Sequence, residues 1–192
     1  MDFTKYLKSE IEKEMNTWVE KDIYAISFLL TWAEDDETSD SLPSFSLTRN
    51  TESACDTKDP YGEERWNVAF WEIEEKILIS PEPSDKGCQL ATEWLHAQGI
   101  VDVGAPENEE QCYDEDMNYI GKGPAGAYEL MMLLAEIARG LQTDGFIRRH
   151  FGNIPILVHD YEYIWYSKDA TLRANPDGQA QSFFKAMQDL YN

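Results

Sequence analysis

Ile154-Pro155-Ile156-Leu157-Val158 is an unbroken apolar run, and no residue within it suits a solvent-facing position. A strand of that composition needs cover on both faces. Tyr161, Tyr163, Trp165 and Tyr166 follow closely, so the segment from Asn153 to Pro176 has to sit against the amphipathic segments on either side of it in sequence. The expectation is a sheet with this strand at its centre, clothed by helices.

The flanking chain supplies the helices and the other strands. Phe3, Leu7, Ile11, Met15 and Trp18 recur at helical spacing between charged neighbours, which predicts a helix from about Asp2 to Glu20. Ile23 to Trp32 is aromatic and β-branched, a further central strand. The acids Glu34 to Glu37 push the chain to solvent, and Ser44 to Thr48 then alternates Phe45 and Leu47 with hydroxyls. The two strands should form a hairpin whose acidic tip holds Asp35 and Asp36. Asn50 to Gly62 is expected as a loop, and Trp66 to Ile79 fits both the strand and the helix period, with strands favoured at its two ends. Ser84 should start a helix carrying Leu90, Ala91, Trp94 and Leu95, closed by Gly99. A mostly buried helix opens near Pro124 and runs through Leu141, and a short one carries Arg148-Arg149-His150. Two more follow the apolar run, at Lys168 to Ala174 and Ser182 to Leu190. With no repeat and no linker, the 192 residues read as one α+β domain, a mixed or antiparallel central sheet covered by several amphipathic helices.

Charge limits the partners. Thirty-seven acidic residues against 16 basic ones leave a net charge of −21, a field that repels phosphate backbones and anionic membranes and attracts basic proteins. The first residues lack a basic and apolar leader pattern and the most apolar helix is short, so a cytoplasmic protein is expected, with no membrane or nucleic-acid partner. Cys55, Cys88 and Cys112 form no paired motif and read as reduced thiols.

Residues 101–123 are expected to be a long acidic loop. Glu107, Glu109, Glu110, Asp114, Glu115 and Asp116 lie there with no basic residue before Lys122. A loop of this length inside a domain is either functional or disordered. Charge runs usually do no more than solubilise, but a loop without bases also focuses a negative field on a cationic partner. Gly121-Lys122-Gly123-Pro124-Ala125-Gly126 matches half of a dinucleotide fingerprint, yet the buried strand that should precede it is replaced by the acidic loop, and a turn explains the glycines. Asp114, Asp116 and Asn118 have calcium-loop spacing, but Tyr119 stands where that motif needs glycine and Ala125 where it needs the bidentate acid. No metal or cofactor site is expected.

His159 and Asp160 end the apolar run, where side chains of open sheets often converge on a pocket. Neighbours on a strand point to opposite faces, so the two cannot form a catalytic pair without a bend, and a structural histidine is the simpler reading. The tryptophans read as core, with one or two available to anchor a partner. No nucleophile elbow, zinc-protease motif or C-x-x-C occurs, so no enzyme is expected.

Five segments, taken in order, resemble a bacterial family of domains of unknown function, some of whose members lie beside polymorphic-toxin genes and are proposed immunity proteins. They are Ile23 to Phe28, Ser46 to Thr51, Arg65 to Trp71, Ile154 to Tyr163 and Ala174-Asn175-Pro176. The resemblance implies an immunity-type protein that neutralises a cognate basic toxin, a nuclease among the candidates. It supplies no catalytic residues. On charge, the contact residues would be Glu107, Glu109, Glu110, Asp114, Glu115 and Asp116 with Asp35 and Asp36. The alternative is a small-ligand binder or enzyme with a pocket near His159, Asp160, Tyr161 and Tyr163.

Overall fold

Alternation in the long hairpin gives its two faces different chemistry. In the computed structural model, Ile23–Glu34 (β1) and Ser41–Thr51 (β2) pair antiparallel with Phe28 opposite Leu47 and Leu30 opposite Phe45. Ile26, Phe28, Leu30, Phe45 and Leu47 point into the larger core. On the other face stand Ala25, Ser27, Ser46, Thr48 and Asn50, all buried. The structure describes residues 2–34 and 41–190; Asp35 and Asp36 of the expected hairpin tip lie outside the described residues.

Among the described residues the sheet has four strands in the order β3-β2-β1-β4, with Lys76–Ile79 (β3) antiparallel to β2 and Ile156–His159 (β4) parallel to β1. The fold is a single α+β domain with a mixed sheet and, among the described residues, seven α-helices. The larger core is closed by Phe3–Met15 (α1), Lys86–Ala97 (α3) and Ala127–Thr143 (α4). Asp2 caps α1 by accepting from the Lys5 amide, and Phe3, Leu7, Ile11 and Met15 are the stripe it buries. The helix stops at Met15, short of the expected Glu20. Trp18 lies beyond its end, half-buried under the Arg49 guanidinium at 4.5 Å. Asp85, not Ser84, caps α3, through the Cys88 amide at 2.8 Å. Pro124 precedes the turn into α4 instead of occupying its first turn.

Two expectations about the strands are corrected. Trp66 to Phe70 is not a strand: Glu63–Trp66 (α2) is a helical turn and Val68–Phe70 a 3-10 turn that Asn67 caps. The cause is the hydroxylated second face of β2. Thr48 donates to the Ile73 carbonyl at 3.0 Å and Ser46 to the Glu75 carboxylate, so the segment lies over the face as an irregular cover, and only β3 joins the ladder. With Gln181–Leu190 (α7) it builds a second core around Tyr24, Trp66, Trp71, Tyr163 and Phe183.

The apolar run is also not central. β4 occupies an edge, yet every residue of it is buried. Trp165–Ala174 (α6) stands in for the missing neighbour. Thr171 Oγ1 accepts from the Val158 amide and donates to its carbonyl, both at 2.9 Å, and Asn175 accepts from the Ile156 amide at 3.0 Å while donating to its carbonyl at 2.7 Å. Two side chains thus pair the exposed ladder of an edge strand, which would otherwise be an aggregation template.

Candidate functional site: an acidic aromatic cleft

Because β1 and β4 run parallel, their carboxyl ends emerge side by side, the position at which α/β sheets open crevices. Here a cleft of about 360 Å³ lies between Leu30, Thr31 and Trp32 at the end of β1 and Asp160 to Glu162 after β4. The Phe146–His150 helix (α5) lies on the approach to β4, and α6 contributes Tyr166 to the cleft floor. Asp160 shapes its own side of the cleft: Oδ1 accepts from the amides of Glu162 at 3.1 Å and Tyr163 at 2.8 Å. This turn leaves Tyr161 74% exposed at the mouth and swings Tyr163 under the sheet. Burial pushes the Asp160 carboxyl up, against the two amides, which favour its ionised form.

The facing wall is the acidic segment 101–123, which is a built structure. Glu107 is its organising residue. Its carboxylate accepts from the Tyr119 hydroxyl at 2.6 Å, from the Lys122 amide and from the Cys112 thiol at 3.1 Å, while Tyr119 Oη accepts from the Gly123 amide at 2.8 Å. Burial pushes the Glu107 carboxyl up, but these donors overcome it and hold the group below its ordinary range. A Cβ on Gly121 would lie 2.3 Å from that carboxylate, and Gly123 has a φ of 75° beneath Tyr166, so close packing accounts for the glycines of the dinucleotide-like motif. Beyond Glu107, Tyr113 and Tyr119 pair across an isolated bridge with rings 5.6 Å apart and edge to face. Asp114 closes the turn between them by accepting from the amides of Asp116 and Asn118 at 2.9 and 2.8 Å. Met117 is held there with φ at 63°, 74% exposed.

The expected contact acids therefore divide. Glu107 and Asp114 spend their carboxylates inside the loop, whereas Glu110, Glu115 and Asp116 are exposed. Glu109 lies in a 3-10 turn, Glu109–Gln111, and its side chain is outside the described set. Among the pocket residues expected near the end of β4, Asp160 and Tyr161 line the cleft and the other two do not. His159 is 1% exposed and both of its ring nitrogens are engaged: Nδ1 donates to the Asp160 carbonyl at 2.7 Å and Nε2 accepts from Ser27 Oγ at 2.8 Å. The ring stacks on Tyr163 at 4.7 Å and 4°. Burial lowers the His159 pKa to about 4, so the imidazole is neutral and serves the second core.

Sequence reasoning missed Trp32, Tyr113, Tyr119, Glu162 and Tyr166 at this site. Tyr113 and Tyr119 left a signal, since bulky aromatic residues are out of place in a loop that only solubilises. Among the described residues no group of three or more histidine, cysteine, aspartate or glutamate side chains is placed to hold a metal ion, and no helix is long and apolar enough to cross a membrane. Cys55, Cys88 and Cys112 are buried thiols. Comparisons with protein-family models, curated proteins and solved structures find no match for this chain.

Proposed function

We propose that this protein is a binding protein which captures a basic protein partner on the face formed by the cleft and its acidic wall, acting as an immunity-type inhibitor of a basic toxin. The observation that carries the reading is a coincidence of two chemistries on the two loops that border the cleft. Tyr113, Met117, Ile120 and Tyr161, each about half exposed or more, stand on the loops that wall the cleft, and Glu110, Glu115, Asp116 and Glu162 are exposed among them. Large apolar anchors ringed by charge are the anatomy of interface hot spots, with the anchors supplying affinity and the charges steering and selectivity. The net charge of −21 extends the negative field over the surface, and Arg49 and Arg65 are screened within it by their pairs with Glu20 and Glu52. The toxin as partner class follows from the resemblance to proposed immunity proteins.

The test is co-expression with the product of the neighbouring gene. Restored growth together with a stoichiometric complex supports the reading; an inert neighbouring product, or a toxic one that this protein neither binds nor relieves, overturns it.

A small-ligand or enzymatic role has one observation in its favour, the cleft at the ends of two parallel strands with Asp160 and Tyr161 in its wall. Against catalysis stand the engaged nitrogens of His159 and the absence, among the described residues, of another histidine or a cysteine lining the cleft.

A further inference from the structure

We propose that the cleft is the receptor for one arginine side chain of the partner. This deepens the partner-binding reading and rests on it. The cleft offers what a guanidinium needs and little that another group would use. Trp32, Tyr113, Tyr119 and Tyr161 supply aromatic surface, and Asp160 and Glu162 supply negative charge. Among the described residues no lysine or arginine lines it. Lys122, the base of the acidic wall, is not one of the lining residues; its ammonium lies over the Tyr128 ring, 4.7 Å from the centroid. Glu162 is exposed, and its carboxylate makes no hydrogen bond or ion pair among the described residues, so an anion stands at the cleft with no internal partner. Asp160 commits Oδ1 to two backbone amides, which fixes the direction of its carboxylate from below. The Tyr166 phenol in the floor is pushed up, by burial first and then by the negative charge of Asp160, Glu107 and Glu162 together with Tyr119, so the field inside is anionic.

Arginine fits this set better than lysine. Its planar guanidinium is weakly hydrated, stacks on aromatic faces and still presents in-plane N–H groups to carboxylates at the same time. An ammonium is a compact, strongly hydrated charge that gains less from the walls. A cleft of about 360 Å³ open to solvent on one side admits a guanidinium on its three-carbon stem without rearrangement.

The experiment titrates the isolated protein with N-acetyl-arginine-N-methylamide, following the indole N–H signal of Trp32 and the amide signal of Tyr161 by NMR. The lysine, citrulline and choline analogues run in parallel. Saturable shifts with an affinity on the order of millimolar are expected for arginine, about tenfold weaker for lysine and choline, and none for uncharged citrulline. Glu162→Gln and Tyr161→Ala, both at exposed positions that folding tolerates, should each weaken arginine about tenfold. No saturable shift with arginine, equal shifts with citrulline, or equal or tighter binding of lysine or choline overturns the proposal. The probe needs no protein partner, so the two readings fail separately. A silent cleft in a protein that still binds the neighbouring product through Glu110, Glu115 and Asp116 removes the arginine receptor alone.

Discussion

The Tyr119 hydroxyl donates to the Glu107 carboxylate at 2.6 Å, across a sequence separation of 12 residues, and so locks the acidic segment into one shape beside the cleft. A residue that looks like part of a charged recognition surface is thus the keystone of the wall that carries the surface. Glu107→Gln keeps the shape of the side chain but loses the charge on which three donors converge. Loosening of residues 107–123 is expected, with little change in the global unfolding midpoint, because Tyr119 is the one residue of that segment packed against the larger core, and only at its margin. Hydrogen exchange at the Lys122 and Gly123 amides measures this. The sign of the pH effect follows from the lowered carboxyl: the contribution is fully present above the ordinary value of 4.5 and is lost as pH falls through the lower folded value. Protection of these amides should therefore hold from pH 7 to 5 and disappear in acid.

His159 makes global stability fall at a different pH. Its pKa drops from 6.5 in the unfolded chain to about 4 in the folded one, so the unfolded state takes up the proton first. Stability is complete above pH 6.5 and erodes toward pH 4, by on the order of 3 kcal/mol at the limit. Urea midpoints of the native protein should decline over that window. In His159→Gln the decline should vanish even though the starting stability is lower.

Asn175 replaces a strand. It bonds both backbone groups of Ile156, donates to the Thr171 carbonyl and accepts from Gln142. Asn175→Leu is expected to cost about 3 kcal/mol, since it leaves a buried amide and two buried carbonyls short of partners. It should also promote association through the uncovered edge of β4. Chemical denaturation with sedimentation velocity reads both effects, and unchanged stability would mean that the ladder is paired by other means.

Met117 and Tyr163 are the non-glycine residues with positive φ among those described, and they lie in the two loops that flank the cleft. A left-handed conformation costs a residue with a side chain about 1 kcal/mol. Met117→Gly should therefore leave folding stability unchanged or raise it by about 1 kcal/mol, while weakening capture of a partner that uses the exposed methionine. A matched pair of thermal melts and binding isotherms separates the effects.

Much of the scaffold was legible because burial writes itself as a period. The stripe Phe3, Leu7, Ile11 and Met15 and the alternation in Phe45 to Leu47 are local signals, and the structure follows both. Trp66 to Phe70 misled because its aromatic spacing fits a strand, while the decisive hydroxyls of Ser46 and Thr48 belong to another element. The placement of β4 misled for a similar reason. An apolar run reports burial but does not say whether its neighbour is a strand or the side chains of Thr171 and Asn175. At the site, negative charge was plain in the composition. The division between Glu107 and Asp114, which organise the loop, and Glu110, Glu115 and Asp116, which face solvent, depends on partners such as Tyr119 and Asn118 that charge alone does not reveal.

Charge-directed capture of a basic partner is tested most directly by the association rate with the neighbouring gene's product, measured against ionic strength. The comparison sets the native protein beside a variant carrying Glu110→Lys, Glu115→Lys and Asp116→Lys, which spares the structural acids. The native rate should fall steeply as salt is added, and the variant should associate at least tenfold more slowly at low salt with a flat or inverted dependence. Equal rates and equal salt slopes for the two proteins would contradict the account.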